Sequence, residues 1–433
     1  MGAVLGPLGV HPPARLAWGI CALGASLYLA GFFQRVAPAV MTQELMAEFS
    51  LAAAGLGNLS AFYLYGYVAM QIPTGLMVDR FGARRVLAVG AAVAAAGSFL
   101  FALAPNLLAA NLGRLLIGGS VGVAWVGTLK LAAQWLPAQR FALASGLTLA
   151  AGMSGAVTAG VPLAAAVSAF GWRPVMLAGA IVLAFICAAI WLIVRDDPTE
   201  RGYTGYTSAP VGLATPRPSI WRGLADVLRY RNTWLIFFAP QGISGATIAF
   251  GGLWGVPYLV SVYGFSSARA AFYCSALMLA WALGGPVFGA FSDRLRERKP
   301  LYVIGSVCAL VLWSVVVLAP PSPTVLLVML IAAGFVSGCM VTGFAYAKES
   351  VPAHLAGTAT GVANMGSMTG AMLLQPLIGI VLDQGWVGEL TYGGARSYGA
   401  QAYRDAFLPL LGWLAVSLAS TLATRETHAR QMR

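Results

Sequence analysis

The sequence predicts an all-α membrane protein of twelve transmembrane helices, arranged as two pseudo-symmetric six-helix bundles. Three observations predict it. Hydrophobic residues make up 59% of the chain and charged residues 9%, against about 25% charged in an average soluble domain. Apolar stretches of about 20 residues recur from Ala17 onward, each long enough to cross a ~30 Å hydrocarbon core as a helix. The chain also repeats itself at one offset, Gly289 standing 214 positions after Gly75.

The spans fall near 17–39, 55–78, 86–104, 107–132, 142–168, 173–194, 233–260, 270–291, 301–319, 324–347, 357–382 and 406–423. Helix is the required form, because backbone groups in lipid must pair within their own segment. Met1–Ala14 carries no signal-peptide pattern, so the first apolar stretch reads as the first span. The polar interruption from Arg195 to Arg231 is the natural linker. It divides the chain into an N-terminal half (1–195), a central loop (196–231) and a C-terminal half with a short tail (232–433). Its Ile220–Tyr230 portion reads either as a short amphipathic surface helix or as a tether.

At the same offset Asp79 maps to Asp293, Arg80 to Arg294, Gly152 to Gly366, Pro162 to Pro376, Gly171 to Gly385 and Trp172 to Trp386. Such internal symmetry is expected of a transporter built from repeats.

The formal net charge of +12 does not imply a nucleic-acid partner, because the basic residues are sorted by loop. Arg15, Arg80, Arg84, Arg85, Arg140, the arginines of 195–231, the run Arg294–Lys299, and Arg425, Arg430 and Arg433 occupy the termini and every second loop. The other loops hold Arg173, Arg269, Arg396 and Arg404. By the positive-inside rule both termini are cytoplasmic, and the expected location is a bacterial inner membrane. The five cysteines lie in apolar stretches without metal-ligand spacing, and read as packing residues. No cofactor, metal site or enzyme motif is expected, and no Walker motif marks an ATP-driven pump.

Between the second and third spans stands GLMVDRFGARR, Gly75–Arg85, with a looser copy, GAFSDRLRERK, at Gly289–Lys299. This loop resembles the G-x-x-x-D-R-x-G-R-R signature of the major facilitator superfamily, departing at Ala83, where a basic residue is common. LLAANLGRLLIGGSVG, Leu107–Gly122, resembles the family's fourth-helix motif, and the glycine-rich Ser154–Trp172 its bending fifth helix. The resemblance implies the family's fold over the whole chain. It also implies a gating role for Gly75, Asp79, Arg80, Gly82, Arg84, Asp293 and Arg294. Independently of the family, an Asp at a helix end can pair with Arg or meet a helix N-terminus, and Gly82 permits a tight turn.

Charges within spans are rare and costly. Arg35, Arg114, Lys130 and, near a span end, Lys348 qualify, whereas all fourteen carboxylates and the three histidines map to loops or helix ends. An unpaired buried cation needs a partner, and an anionic substrate can supply it. Arg35 and Lys130 are therefore the leading candidates for substrate contact, followed by Arg114, which backbone carbonyls could satisfy instead. Sixteen residues at about 100° each place Lys130 nearly opposite Arg114 in azimuth on one helix. Tyr28, Tyr63, Tyr67, Gln71, Trp125, Gln241, Trp254, Trp281, Tyr346, Asn364 and Gln375 could line the same cavity.

The expected function is secondary active or facilitative transport of a small organic anion, bearing a carboxylate or phosphate, by alternating access. The expected partners are that solute and the lipid bilayer, with the chain monomeric. Transport of an amino acid, dipeptide, siderophore or drug on the same fold is the alternative, and a membrane solute sensor is the alternative of another class.

Overall fold

The computed structural model describes residues 10–206, 220–391 and 393–431. Among these residues eleven helices are long and apolar enough to cross a membrane. They are Ala14–Val40, Ala83–Ala102, Leu107–Trp135, Ala138–Thr158, Trp172–Ile193, Arg231–Tyr263, Ser267–Leu295, Lys299–Leu318, Pro323–Glu349, Ala353–Gln384 and Ala400–Ala423. Ala53–Phe81, which turns by 110° from the short helix Thr42–Glu48, brings the number to twelve. Numbered along the chain, these are the first to twelfth spans, and they follow the predicted order. Large apolar side chains such as Leu108 and Phe185, 69% and 71% exposed, cover their outer faces. In water such a surface would be an aggregation hazard, and in lipid it is the expected one.

The fifth span is completed by a second helix, Val161–Phe170, after a break at Gly160 with Pro162 in its first turn, which is the kink the glycine-rich stretch implied. Ile220–Val227 forms a helix that packs against the eleventh span. The central part of the linker, with Arg217, lies outside the described residues, as do Met1–Gly9 and Arg433.

The internal repeat extends to the irregularities. The first span passes into a 3-10 turn at Ala37–Val40, and the seventh carries a π segment at Phe250–Trp254, the equivalent position one repeat later. Such breaks often mark functional positions in helices, and here the two broken segments pack against each other. They close the end of the bundle opposite the chain termini. A cavity of only ≈ 10 Å³ remains there, bounded by Val36, Ala39 and Val40 of the first span and by Gly251, Val256, Cys274 and Met278.

The two halves also meet at that end through their second and eleventh spans. A Cβ on Gly57 would lie 2.4 Å from Gln375 O, and one on Gly379 would lie 2.4 Å from Ala53 O, so only glycine admits this backbone approach. The Asp383 carboxylate accepts from Ala53 N (3.0 Å) and Ala54 N (2.8 Å) at the start of the second span. Tyr398 and Arg396 hold it there, at 2.6 and 3.3 Å. A carboxylate on free N–H groups at a helix start is favoured by both hydrogen bonding and the helix dipole.

At the termini end each half uses another acid to cap its third helix. Arg84 N donates to Asp196 Oδ1 at 2.8 Å, beside Gly82 at φ +84°. Lys299 N and Arg298 N donate to Glu426 at 2.7 and 3.1 Å.

Candidate functional site

Arg35 lies one turn before the break in the first span and is 6% exposed. Its guanidinium carbon sits 4.3 Å from the Phe32 ring centroid, 5.0 Å from Tyr67 and 5.6 Å from Tyr63. Phe32 arrives by the i, i+3 spacing on its own helix, while Tyr63 and Tyr67 project from one face of the second span. Tyr28 continues the aromatic wall, 4.9 Å from Phe32 and 5.3 Å from Trp125 of the fourth span. Among the described residues no carboxylate pairs with Arg35, its polar neighbours are phenols, and its Nε has no hydrogen-bond acceptor. A buried guanidinium in this condition is costly to keep charged and can form charge-assisted hydrogen bonds with an anion.

Arg114 is fully buried and differently provided for. It donates to Gln34 O at 2.6 Å and to Ser60 O at 3.4 Å, and lies over the Tyr63 and Phe101 rings at 5.1 and 5.9 Å. Backbone carbonyls thus engage its two Nη groups while its Nε, like that of Arg35, has no acceptor among the described residues, and it fastens the first, second and fourth spans together.

Lys130 corrects the charge inventory drawn from sequence. Its ammonium donates to Val78 O at 2.8 Å and pairs with Asp79 Oδ1 at 3.0 Å, so it does have a carboxylate, at the termini end and away from the aromatic wall. The fourth span is interrupted at Gly122 between Arg114 and Lys130. This cation belongs to the loop that carries Asp79, not to a central cavity shared with Arg35.

The remaining candidates divide. Tyr63 is fully buried and donates to Gly31 O at 3.0 Å. Asn364 Nδ2 donates to Gln71 Oε1 at 2.5 Å, a hydrogen bond between the halves. Trp254 is 1% exposed and donates to Gln375 O, while Gln241 accepts from Trp413 of the twelfth span at 3.3 Å. The Trp254 indole N–H and the Gln241 Oε1 are engaged inside the second bundle, whereas Gln241 Nε2 is buried without a hydrogen-bond partner among the described residues. Tyr346 donates to Arg425 O. Arg84 donates to Trp191 O and stacks on that ring at 4.7 Å, and Asp293 pairs with Arg298 at 2.6 Å. Arg80 lies over Phe81 at 5.4 Å, and a Cβ on Gly75 would meet open space. Arg298 further pairs with Glu349 at 2.8 Å.

Sequence reasoning missed Phe32, Asp383, Asp196 and Glu426. The spacing of Phe32 to Arg35 was a usable signal. The three acids act across long sequence separations and had none.

The profile of the Major Facilitator Superfamily matches residues 21–374. The chain is 26% identical to the probable sulfoacetate transporter SauU of Cupriavidus necator, over 63% of this chain and 64% of that one. It is 23% identical to the probable galactarate/D-glucarate transporter GarP of Escherichia coli, over 82% and 85%, and 24% identical to a gallate transporter of Pseudomonas putida, over 84% and 86%. Among solved structures it resembles a bacterial homolog of the human lysosomal transporter Spinster in an inward-facing, unoccupied conformation. That match has a TM-score of 0.74 and 16% identity over 95% of this chain and 97% of that one. The nucleoside transporter NupG matches with a TM-score of 0.68 and 15% identity, over 94% and 98%.

Proposed function

The chain belongs to the Major Facilitator Superfamily, and from that premise we propose that it moves a small carboxylate-bearing organic anion by alternating access, with Arg35 as the residue that meets the anion. It is a multi-pass membrane transporter and not an enzyme. The observation that carries the reading is the buried Arg35 guanidinium, which among the described residues has no carboxylate and no acceptor at Nε, while Lys130 pairs with Asp79 and Arg114 donates to two backbone carbonyls. The relatives whose names print sulfoacetate, galactarate/D-glucarate and gallate support an anionic solute.

Alternating access is supported by the joining of the halves at the end opposite the termini. The sorting of basic loops favours cytoplasmic termini in a bacterial inner membrane, so this conformation is closed toward the outside. The proposed division is 1–195, 196–231 and 232–433, and the loops around Asp79 and Asp293 are assigned to gating of the cytoplasmic end, a role their place at the termini end supports.

The test is thermal stability of the purified protein with gallate, D-glucarate and sulfoacetate, wild type beside Arg35→Ala, since a ligand of the folded state raises its melting temperature. Stabilisation by at least one anion, lost in Arg35→Ala, is expected. Stabilisation only by neutral solutes, surviving that substitution, overturns the reading.

A further inference from the structure

We infer that the anion is a monoanionic aromatic carboxylate, a benzoate-type solute, and that aliphatic dianions are rejected. This rests on the reading of Arg35 as the anion contact and adds two constraints drawn from what surrounds it.

The first constraint is charge. Of the intramembrane cations, Arg114 is fully buried, with its Nη groups on Gln34 O and Ser60 O and its Nε enclosed without an acceptor among the described residues, and Lys130 is paired with Asp79. Arg35, which keeps 6% exposure, is the guanidinium left within reach of one carboxylate. A dianion seated here would hold its second charge among aromatic side chains without a second available cation, which costs more than a single pair returns.

The second constraint is shape and surface. A guanidinium is planar, and its N–H groups point outward in that plane. Phe32, Tyr63 and Tyr67 surround Arg35 with rings at 4.3 to 5.6 Å, leaving the Nε edge without an acceptor. An edge of this kind takes a carboxylate through two parallel hydrogen bonds. The body of a solute so held meets Tyr28, Phe32, Tyr67 and Trp125, where flat π surfaces favour offset or edge-to-face contact with another ring. An aliphatic polyol would find few acceptors on this wall. Among the described residues no hydrogen-bond partner is recorded for the phenols of Tyr28 and Tyr67, so ring hydroxyls on the solute find two groups to bond. Ring-hydroxylated benzoates therefore bind best.

The inference is tested by binding to the purified full-length chain, read as melting-temperature shift and tryptophan quenching. The probes are 3,4-dihydroxybenzoate, benzoate, cyclohexanecarboxylate, D-glucarate and sulfoacetate. The expected order places 3,4-dihydroxybenzoate above benzoate, and benzoate about tenfold or more above cyclohexanecarboxylate, which has the same charge and similar size. The two dianions give no shift. In Tyr67→Leu the preference for benzoate over cyclohexanecarboxylate collapses toward one. In Trp125→Phe, which keeps a ring, the preference persists and quenching drops, so loss of fold is separated from loss of selectivity. Equal binding of benzoate and cyclohexanecarboxylate, or stronger Arg35-dependent binding of D-glucarate or sulfoacetate, overturns the inference while sparing anion transport. Binding of none of the five overturns both.

Discussion

Lys130 and Asp79 form an ion pair, Nζ to Oδ1 at 3.0 Å, that joins the end of the second span to the fourth. Both side chains are partly exposed, 27% and 45%, so the pair contributes little to stability. Its meaning is one of assignment: it removes Lys130 from the set of cations available to a solute.

Lys130→Ala therefore leaves the affinity for the stabilising anion within about twofold of wild type, whereas Arg35→Ala lowers it by a hundredfold or more, a scale consistent with loss of a buried charge-assisted contact of about 3 kcal/mol. Isothermal titration on the two variants measures both. A comparable loss in Lys130→Ala would return that residue to the site.

Arg114→Ala behaves as a structural lesion. Removing a fully buried guanidinium strands two carbonyls and opens a void, a combination that costs about 3 kcal/mol. The ligand-free melting temperature falls. In Arg35→Ala it holds or rises, because that substitution removes a buried charge that has ring contacts but, among the described residues, no carboxylate.

Asp383 clasps the second span from the eleventh, and Asp383→Ala removes an N-terminal cap of about 1 kcal/mol together with the anchor for Tyr398 and Arg396. The end opposite the termini then opens more often. A cysteine at Val40, placed in a background without the five native cysteines, reacts with an impermeant maleimide about fivefold faster in this variant. Unchanged reactivity would show that the clasp does not limit opening.

Glu426 supplies a pH-dependent prediction. Burial raises its pKa, but backbone N–H donors from Lys299, Arg298, His428 and Thr427 outweigh that and hold it below the ordinary value of 4.5. A depressed carboxylate contributes stability that is present above its unfolded pKa and is lost as pH falls through the folded one. The protection factors of the amides of 425–431, exchange rates divided by the intrinsic rate at each pH, are therefore high at pH 7 and fall once pH drops below the ordinary carboxylate range. Glu426→Gln at pH 7 reproduces the weakly protected state.

The spans, the repeat and the Asp79 loop were legible in sequence because each is written locally: span length in apolar runs, the repeat in one offset, the loop in contiguous residues. The burial of Arg35 inside the first span was legible because a cation within an apolar run has no nearby loop to reach. Lys130 was misjudged for a geometric reason: helix position gave its depth, but its partner Asp79 lies 51 residues away, and only packing of the second against the fourth span brings them together. Trp254 and Gln241 look like cavity residues by type, yet the Trp254 N–H and the Gln241 Oε1 are turned onto neighbouring helices of their own bundle. The closing contact of Asp383 on Ala53 joins residues 330 positions apart, a separation at which one sequence holds no pairing signal.

The docking of the last residues has a practical side. Glu426 caps the ninth span, Arg425 exchanges hydrogen bonds with Asn232, and Gln431 donates to Lys348 O and Val351 O, so this stretch is a joint between four helices. A purification handle or fluorescent reporter fused directly behind it loads that joint, and yield on solubilisation will depend on the spacer separating the two.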